Sequence, residues 1–177
     1  MNKLLIATNN NGKVIELQDL LKDTGIRLLT PVDINLSLEV DEDGNTYAEN
    51  SSKKALAFAQ ASGLISLADD SGLEVDALGG QPGVFSSRFG GPDATDRDKY
   101  LRIVELLEGV PDEKRTARFR AAVAIATPTG ETVIVEGKCE GRIAREPSGE
   151  GGFGYDPIFF IPEVGQTMAE VPSDVKN

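Results

Sequence analysis

An apolar run that ends in two aspartates limits what this chain can fold into more than any other feature. Residues 64–68 are typical of a buried strand, and Asp69-Asp70-Ser71-Gly72 follows them directly. Side chains alternate along a strand, so the two aspartates point to opposite faces. Open α/β folds bind ligands beyond the carboxyl ends of their strands, so the motif indicates a metal or general-base site. A solvated turn is the alternative, because Asp, Ser and Gly are ordinary turn residues.

The absence of histidine restricts the chemistry of any such site. The 177 residues are 40% hydrophobic and 27% charged, which fits one globular domain. Without histidine the chain has neither a Ser-His-Asp triad nor a His-ligated zinc. Oxygen ligands remain, and they favour magnesium, manganese or calcium. A single cysteine, Cys139, excludes an internal disulfide and fits a reducing compartment, so we expect a cytoplasmic protein.

The formal net charge of −11 limits the partners. It argues against a nucleic acid polymer, whose binding requires a basic surface. A small phosphorylated substrate stays compatible, because a few lysines and a divalent cation reverse the potential locally. No apolar run approaches the length of a membrane span and the N-terminus is too short for a signal peptide, so we expect no membrane association.

The N-terminal residues predict a strand, a polar loop and a helix. Residues 3–8 are apolar, the loop reads Thr8-Asn9-Asn10-Asn11-Gly12-Lys13, and Val14, Leu17 and Leu21 share one helix face. A helix start offers free backbone N–H groups and the positive end of its dipole, and Lys13 adds a charge. The loop is therefore either a phosphate cradle or an Asn-rich turn before an amphipathic helix.

An acidic loop precedes the second predicted helix. Residues 39–44 read Glu-Val-Asp-Glu-Asp-Gly, a pattern typical of a solvated loop. Thr46 and Glu49 form a capping-box pattern for a helix that runs to about Ser62 and stops at Gly63. The acidic loop is thus expected to lie at a helix entry.

The second half of the chain predicts a third helix, a hairpin and a glycine-rich loop. Residues 93–96 cap the helix, and residues 116–126 and 132–139 form the hairpin, which residues 142–144 would extend. The odd-numbered residues 119–125 alternate as in a half-buried strand. In the loop at 149–157 two aromatics, expected to be exposed, stand beside an aspartate. The loop either stacks a base or is a plain tight loop.

Taken together, these segments resemble the inosine triphosphate pyrophosphatase family, the noncanonical purine nucleoside triphosphate pyrophosphatases also called HAM1-like. The resemblance covers essentially the whole chain in order and spacing, and its specificity lies in the combination of motifs. The motifs are Thr8-x-Asn10-x-x-Lys13, Glu42-Asp43-Gly44, Glu49-Asn50, Lys54-Ala55, Ala68-Asp69-Asp70-Ser71-Gly72-Leu73, Leu78-Gly79-Gly80-x-Pro82-Gly83, Gly151-Gly152-Phe153-Gly154-Tyr155-Asp156-Pro157 and Met168-Ala169-Glu170.

The resemblance implies magnesium-dependent hydrolysis of ITP, dITP and XTP to the monophosphate and pyrophosphate, in a homodimer. It assigns Asp70 as general base and metal ligand and Glu42 as the second metal ligand, with Glu39 and Asp41 as alternatives. The substrate-binding residues that it implies are Thr8, Asn9, Asn10, Asn11, Gly12, Lys13, Lys54, Ser71, Phe153, Gly154, Tyr155, Asp156 and Lys176. The first six would hold the triphosphate, and residues 153–156 would face the purine.

The expected fold is a single α/β domain over residues 1–177. It has two lobes around a curved mixed sheet with flanking helices, and its active site lies in the cleft. The family continues past Lys176 into a Ser-His-Arg motif and a last helix, whereas this chain stops at Asn177. Either the sequence is truncated, which we favour, or base selection is altered. A Maf-like pyrophosphatase of different base preference and a nucleotide-binding module without turnover are the alternative functions.

Overall fold

A seven-stranded mixed sheet organises the chain, and the computed structural model describes residues 2–176. The strand order is β2-β1-β3-β4-β5-β6-β7, in which β1 is parallel to β2 and β3 while β6 is antiparallel to β5 and β7. The expected α/β class with a mixed sheet is confirmed. The strands are β1 (Lys3–Ile6), β2 (Arg27–Leu29), β3 (Ser66–Val75), β4 (Thr116–Ala126), β5 (Thr132–Ile143), β6 (Phe159–Ile161) and β7 (Gln166–Thr167).

Local capping signals determine where the helices begin and end. The helices are α1 (Asn11–Leu21), α2 (Tyr47–Ser62), α3 (Asp96–Leu106) and α4 (Ser173–Lys176). The predicted cap of α2 is confirmed, because Thr46 Oγ1 accepts the Glu49 N–H and Gly63 ends the helix with φ of 69°. The Glu49 carboxylate bonds the N–H of Asn45, one residue before the position that a capping box requires.

The motif Asp69-Asp70-Ser71-Gly72 lies inside a strand, so the prediction that the strand ends before it is wrong. β3 continues to Val75, and Leu73 and Val75 are fully buried. Apolar alternation therefore resumes beyond the motif, and burial of these side chains extends the strand through residues that favour turns.

Contacts divide the chain into two compact units, and the first holds residues 2–70 and 121–137. Its core packs Ala55, Phe58 and Ala59 of α2 with Leu5 of β1 and the small β4 residues Ala124 and Ala126. The alternation predicted for β4 is wrong in phase here, because Ala122, Ala124 and Ala126 are buried whereas Ile125 is exposed. Small side chains on the buried face allow α2 to approach the sheet closely.

The second unit holds residues 71–120 and 138–176 and has its own core. Phe159 lies at its centre with Ile103 and Leu107 of the α3 region, and its ring centroid is 4.4 Å from that of Phe119. The guanidinium of Arg115, only 3% exposed, donates to the carbonyls of Leu107, Ile143 and Ala144. Within residues 2–176, no helix is long and apolar enough to cross a membrane.

Replacing Arg115 by Ala is expected to lower the free energy of unfolding by about 2–4 kcal/mol, because two buried carbonyls and one partly buried carbonyl lose a charged donor. Urea denaturation measures the change. Arg97→Ala, at an exposed position of α3, is the matched control and should leave stability nearly unchanged. Equal stability of the Arg115 and Arg97 variants would contradict this role.

Candidate active site

Asp70 is a carboxylate buried within β3, and it is 7% exposed. Its Oδ2 accepts a 2.9 Å hydrogen bond from Nδ2 of Asn50, which lies on α2. Burial raises the pKa of Asp70, and the nearby Glu42 carboxylate raises it further. The hydrogen bond from Asn50 and the charges of Lys54 and Lys13 act in the opposite direction. The net shift is upward, which is the direction that suits a general base near neutral pH.

Asp69 lies on the opposite face of β3 and holds Lys13. The Lys13 ammonium is 2.6 Å from Asp69 Oδ2, and both side chains are mostly buried. Asp69 Oδ1 is buried without a hydrogen-bond partner among the described residues. The two aspartates therefore have different partners. Asp69 pairs with Lys13 of the loop, and Asp70 accepts a hydrogen bond from α2.

The loop before α1 is capped from within, which corrects the expectation of free N–H groups at this helix start. Asn10 is the N-cap residue, and its Oδ1 accepts the N–H groups of Gly12 and Lys13. The Asn10 N–H in turn donates to Thr8 Oγ1. Two of the N–H groups predicted to cradle a phosphate are thus occupied by the cap, while the Lys13 side chain provides the positive charge.

The acidic loop is attached to α2 by ion pairs. Lys54 pairs with Glu42, and Lys53 lies 2.6 Å from Asp43. Glu42 is partly buried and influences Asp70 electrostatically, whereas Glu39 and Asp41 are exposed. Of the three acidic residues considered for the second metal ligand, Glu42 is the one that the structure relates to Asp70.

A cavity of about 350 Å³ lies beside the acidic loop within the first unit. All three acidic candidates, Glu39, Asp41 and Glu42, line it. Its other polar lining residues are Thr8, Asn9 and Lys54, and its apolar lining includes Phe58. The cavity therefore brings the start of the Asn-rich loop together with the acidic loop and α2, three segments that are far apart in sequence.

A second group of predicted residues surrounds Asp156, in the second unit. Asp156 is 4% exposed, and its Oδ2 accepts the Phe153 N–H at 2.8 Å and Lys176 Nζ at 2.7 Å. The Lys176 ammonium lies 4.4 Å from the centroid of the Phe153 ring. A Cβ at Gly152 would lie 2.0 Å from Asp156 Oδ2, so this turn requires glycine there. The structure thus brings Phe153, Asp156 and Lys176 together.

Tyr155 was expected to be an exposed aromatic, and that expectation is wrong. It is 6% exposed and belongs to the core of the second unit, where its hydroxyl donates to the Ser86 carbonyl at 2.7 Å. Burial raises its pKa. Its neighbour Gly154 donates its N–H to Asp96 Oδ2, and Ser71 is half-buried on β3.

Sequence reasoning assigned no individual role to Asn50 or Asp69, the partners of the two central charged groups. The burial of Asn50 could not be predicted, because nothing in the sequence of residues 46–50 distinguishes it from an exposed helix residue. For Asp69 the signal was its position beside Asp70 together with strand alternation, which placed it on the other face.

Comparison with known proteins accounts for this combination of segments. A model described as the Ham1 family matches residues 4–177. The chain belongs to this family. It is 54% identical to a dITP/XTP pyrophosphatase of Desulforamulus reducens over 175 residues, covering 99% of this chain and 87% of that protein. A dITP/XTP pyrophosphatase of Bacillus subtilis is 46% identical over 177 residues, covering 100% of this chain and 89% of that protein.

Solved structures show the same fold. The HAM1 protein from Coxiella burnetii superposes with a TM-score of 0.89 at 40% identity, over 100% of this chain and 90% of that one. The Ham1 protein of Staphylococcus aureus has a TM-score of 0.85 at 34% identity, over 98% of this chain and 88% of that one. The expected family resemblance is confirmed by both kinds of comparison.

Asp70→Asn is expected to stabilise the protein at neutral pH, with an advantage over the parent that is larger at pH 8 than at pH 4. The folded-state pKa of Asp70 is raised, so its stabilising contribution is complete below the unfolded pKa and is lost as pH rises through the folded pKa. Asparagine is neutral at every pH, so the variant has no such loss of stability as the pH rises. Urea unfolding in EDTA across this pH range measures the difference.

Asp19→Asn, on the exposed side of α1, is the control and should show no comparable trend. An Asp70→Asn protein that is less stable than its parent at pH 8, or equally stable at every pH, would contradict the assignment.

Proposed function

We propose that this Ham1-family chain hydrolyses ITP, dITP and XTP to the nucleoside monophosphate and pyrophosphate, and so removes noncanonical purine nucleotides from the pool. Two relatives named dITP/XTP pyrophosphatase, 54% and 46% identical over nearly the whole chain, support the substrate class. The observation that carries the proposal is the buried Asp70 carboxylate, which interacts electrostatically with Lys13, Glu42 and Lys54.

Asp70 acts in this proposal as the general base that orients and deprotonates the attacking water. Phosphoryl transfer needs charge neutralisation and a positioned nucleophile more than covalent catalysis. A carboxylate whose pKa is raised by burial is a better proton acceptor at neutral pH than an exposed one. No histidine is needed for this step, which agrees with its absence from the chain.

Lys13 supplies the positive charge for the triphosphate. Its ammonium is held by Asp69 and influences Asp70, and Thr8 and Asn9 line the neighbouring cavity. Preorganised charges of this kind stabilise the negative charge that develops on phosphate oxygens. We propose that Asn10, Asn11 and Gly12 contribute mainly by capping and starting α1, with Lys54 as a further phosphate contact.

We propose Mg²⁺ as the cofactor, held by Glu42 and Asp70. The donor set fits, since both groups are carboxylates and each influences the site electrostatically. No cluster of three carboxylate, cysteine or histidine side chains that could hold a metal occurs within residues 2–176. Magnesium is usually bound by one or two carboxylates together with substrate phosphates, so such a pair is sufficient. When bound, the ion would withdraw negative charge from the phosphate oxygens.

The purine contacts are proposed for residues 153–156 and Lys176. Phe153 offers a ring face, and Asp156 and Lys176 fix that ring through the N–H bond and the cation–π contact. Tyr155 supports the loop from the core, and Ser71 is proposed as a further substrate contact. A cytoplasmic homodimer is also proposed. The single cysteine supports the reducing compartment, and the resemblance alone supports the dimer.

Pyrophosphate release from ITP, dITP and XTP is expected to exceed release from ATP and GTP, to stop in EDTA and to return with Mg²⁺.

Asp70→Asn should lower kcat by about 100-fold or more while the nucleotide still binds, because the variant lacks the base. Lys13→Ala should weaken both binding and turnover, because it removes the charge that faces the phosphates.

Asp19→Asn is the control and should retain full activity. Equal turnover of ITP by the parent and Asp70→Asn would contradict the mechanism. Tight ITP binding without pyrophosphate release by the parent would instead support a binding module.

A further inference from the structure

Asn50 is an amide with almost no access to solvent, and it connects the Asp70 carboxylate with the loop that carries Glu42. It lies in the first turns of α2 and is 1% exposed. Burying an amide is costly unless both of its ends are hydrogen-bonded. Both ends are bonded here, and each bond leads to a different functional segment.

One end of the amide contacts the proposed base. Asn50 Nδ2 donates to Asp70 Oδ2 at 2.9 Å, twenty residues along the chain. This bond restricts the rotation of a carboxylate that strand β3 presents towards α2. The orientation of the Asp70 oxygens therefore depends on a residue that belongs to another element.

The other end of the amide holds the acidic loop. Asn50 Oδ1 accepts the Gly44 N–H at 2.8 Å, two residues beyond Glu42. The approach is so close that a Cβ at Gly44 would lie 2.6 Å from Asn50 Oδ1 and 2.9 Å from Glu49 Cβ. Only glycine fits at this point without displacing the loop or the amide.

We propose that Asn50 is a positioning residue that holds Asp70 and the Glu42 loop in a fixed mutual arrangement, so that both carboxylates are presented to one ligand. The inference rests on the proposed function. Polar partners behind metal-binding and catalytic groups orient those groups, and losing one typically costs about 10- to 100-fold in metal affinity or activity.

The test compares Asn50→Ala and Gly44→Ala with Ser51→Ala. Ser51 is fully buried at the next position of α2, and its hydroxyl bonds only the helix carbonyl of Ala48 among the described residues, which makes it a control for disturbing the helix. Three quantities are measured: kcat and KM for ITP per folded molecule, Mn²⁺ binding by electron paramagnetic resonance with a nonhydrolysable α,β-methylene analogue of ITP, and the melting temperature.

We expect Asn50→Ala to lower kcat and weaken Mn²⁺ binding by about tenfold or more, with a smaller change in KM. Gly44→Ala should act in the same direction, because it displaces the loop while Asn50 and Asp70 stay intact. Ser51→Ala should keep parental kcat and Mn²⁺ binding even if it melts earlier. In the double variant Asn50→Ala/Gly44→Ala, the Gly44 substitution should lower kcat less than it does in the parent, because the nearest atom that the new Cβ would meet, Asn50 Oδ1, is absent.

Parental kcat and Mn²⁺ binding in folded Asn50→Ala would overturn the positioning role and leave the proposed function intact. If Asn50→Ala fails to fold, Gly44→Ala decides, because a parental kcat and parental Mn²⁺ binding in that variant overturn the role equally. A parent chain that releases no pyrophosphate from ITP would overturn the proposed function and this proposal together.

Discussion

A carboxylate buried in a strand needs compensation, and the arrangement around Asp70 provides it. Only 7% of Asp70 is exposed, so hydrogen bonds and opposite charges must largely replace its solvation by water. Asn50 supplies the hydrogen bond, while Lys13 and Lys54 supply positive charge. Three separate segments therefore have to meet at β3. The pKa of Asp70 is still raised, which shows that the compensation is incomplete.

The incomplete compensation is what the proposed function requires of this site. A carboxylate whose charge is fully compensated is a poor base. Burial and the like charge of Glu42 instead favour binding of a proton or a cation by Asp70. Each positive charge nearby already has a carboxylate partner, Asp69 for Lys13 and Glu42 for Lys54. With Asp70 included, the group holds three carboxylates and two ammonium groups, so in the proposed function a divalent cation would supply part of the positive charge that a triphosphate requires here.

Local signals in the sequence were sufficient for the elements but not for their contacts. The cap at Thr46 and the stop at Gly63 are encoded within a few residues, so the limits of α2 could be predicted. The continuation of β3 through turn-forming residues could not, because it depends on tertiary burial of Leu73 and Val75. The phase of the second half of β4 was missed because residues 121–126 are apolar on both faces, so alternation does not show which face α2 covers.

The same distinction applies to the site. Asp70, Lys13 and Glu42 could be proposed from motif order, but their partners are distant in sequence and became apparent only with the fold. Tyr155 was wrongly expected to be exposed, because it lies in a glycine-rich loop. Its hydroxyl instead donates to a carbonyl 69 residues away, a contact that only the fold reveals. Glycine at 152 is required by the close Asp156 carboxylate, a reason that composition alone does not reveal.

The most direct test of the central claim is hydrolysis of ITP in H₂¹⁸O, followed by mass spectrometry of both products. The account predicts water attack at the α-phosphorus, so the label should appear in the nucleoside monophosphate and not in pyrophosphate. Label in pyrophosphate, or release of inorganic phosphate in its place, would contradict it.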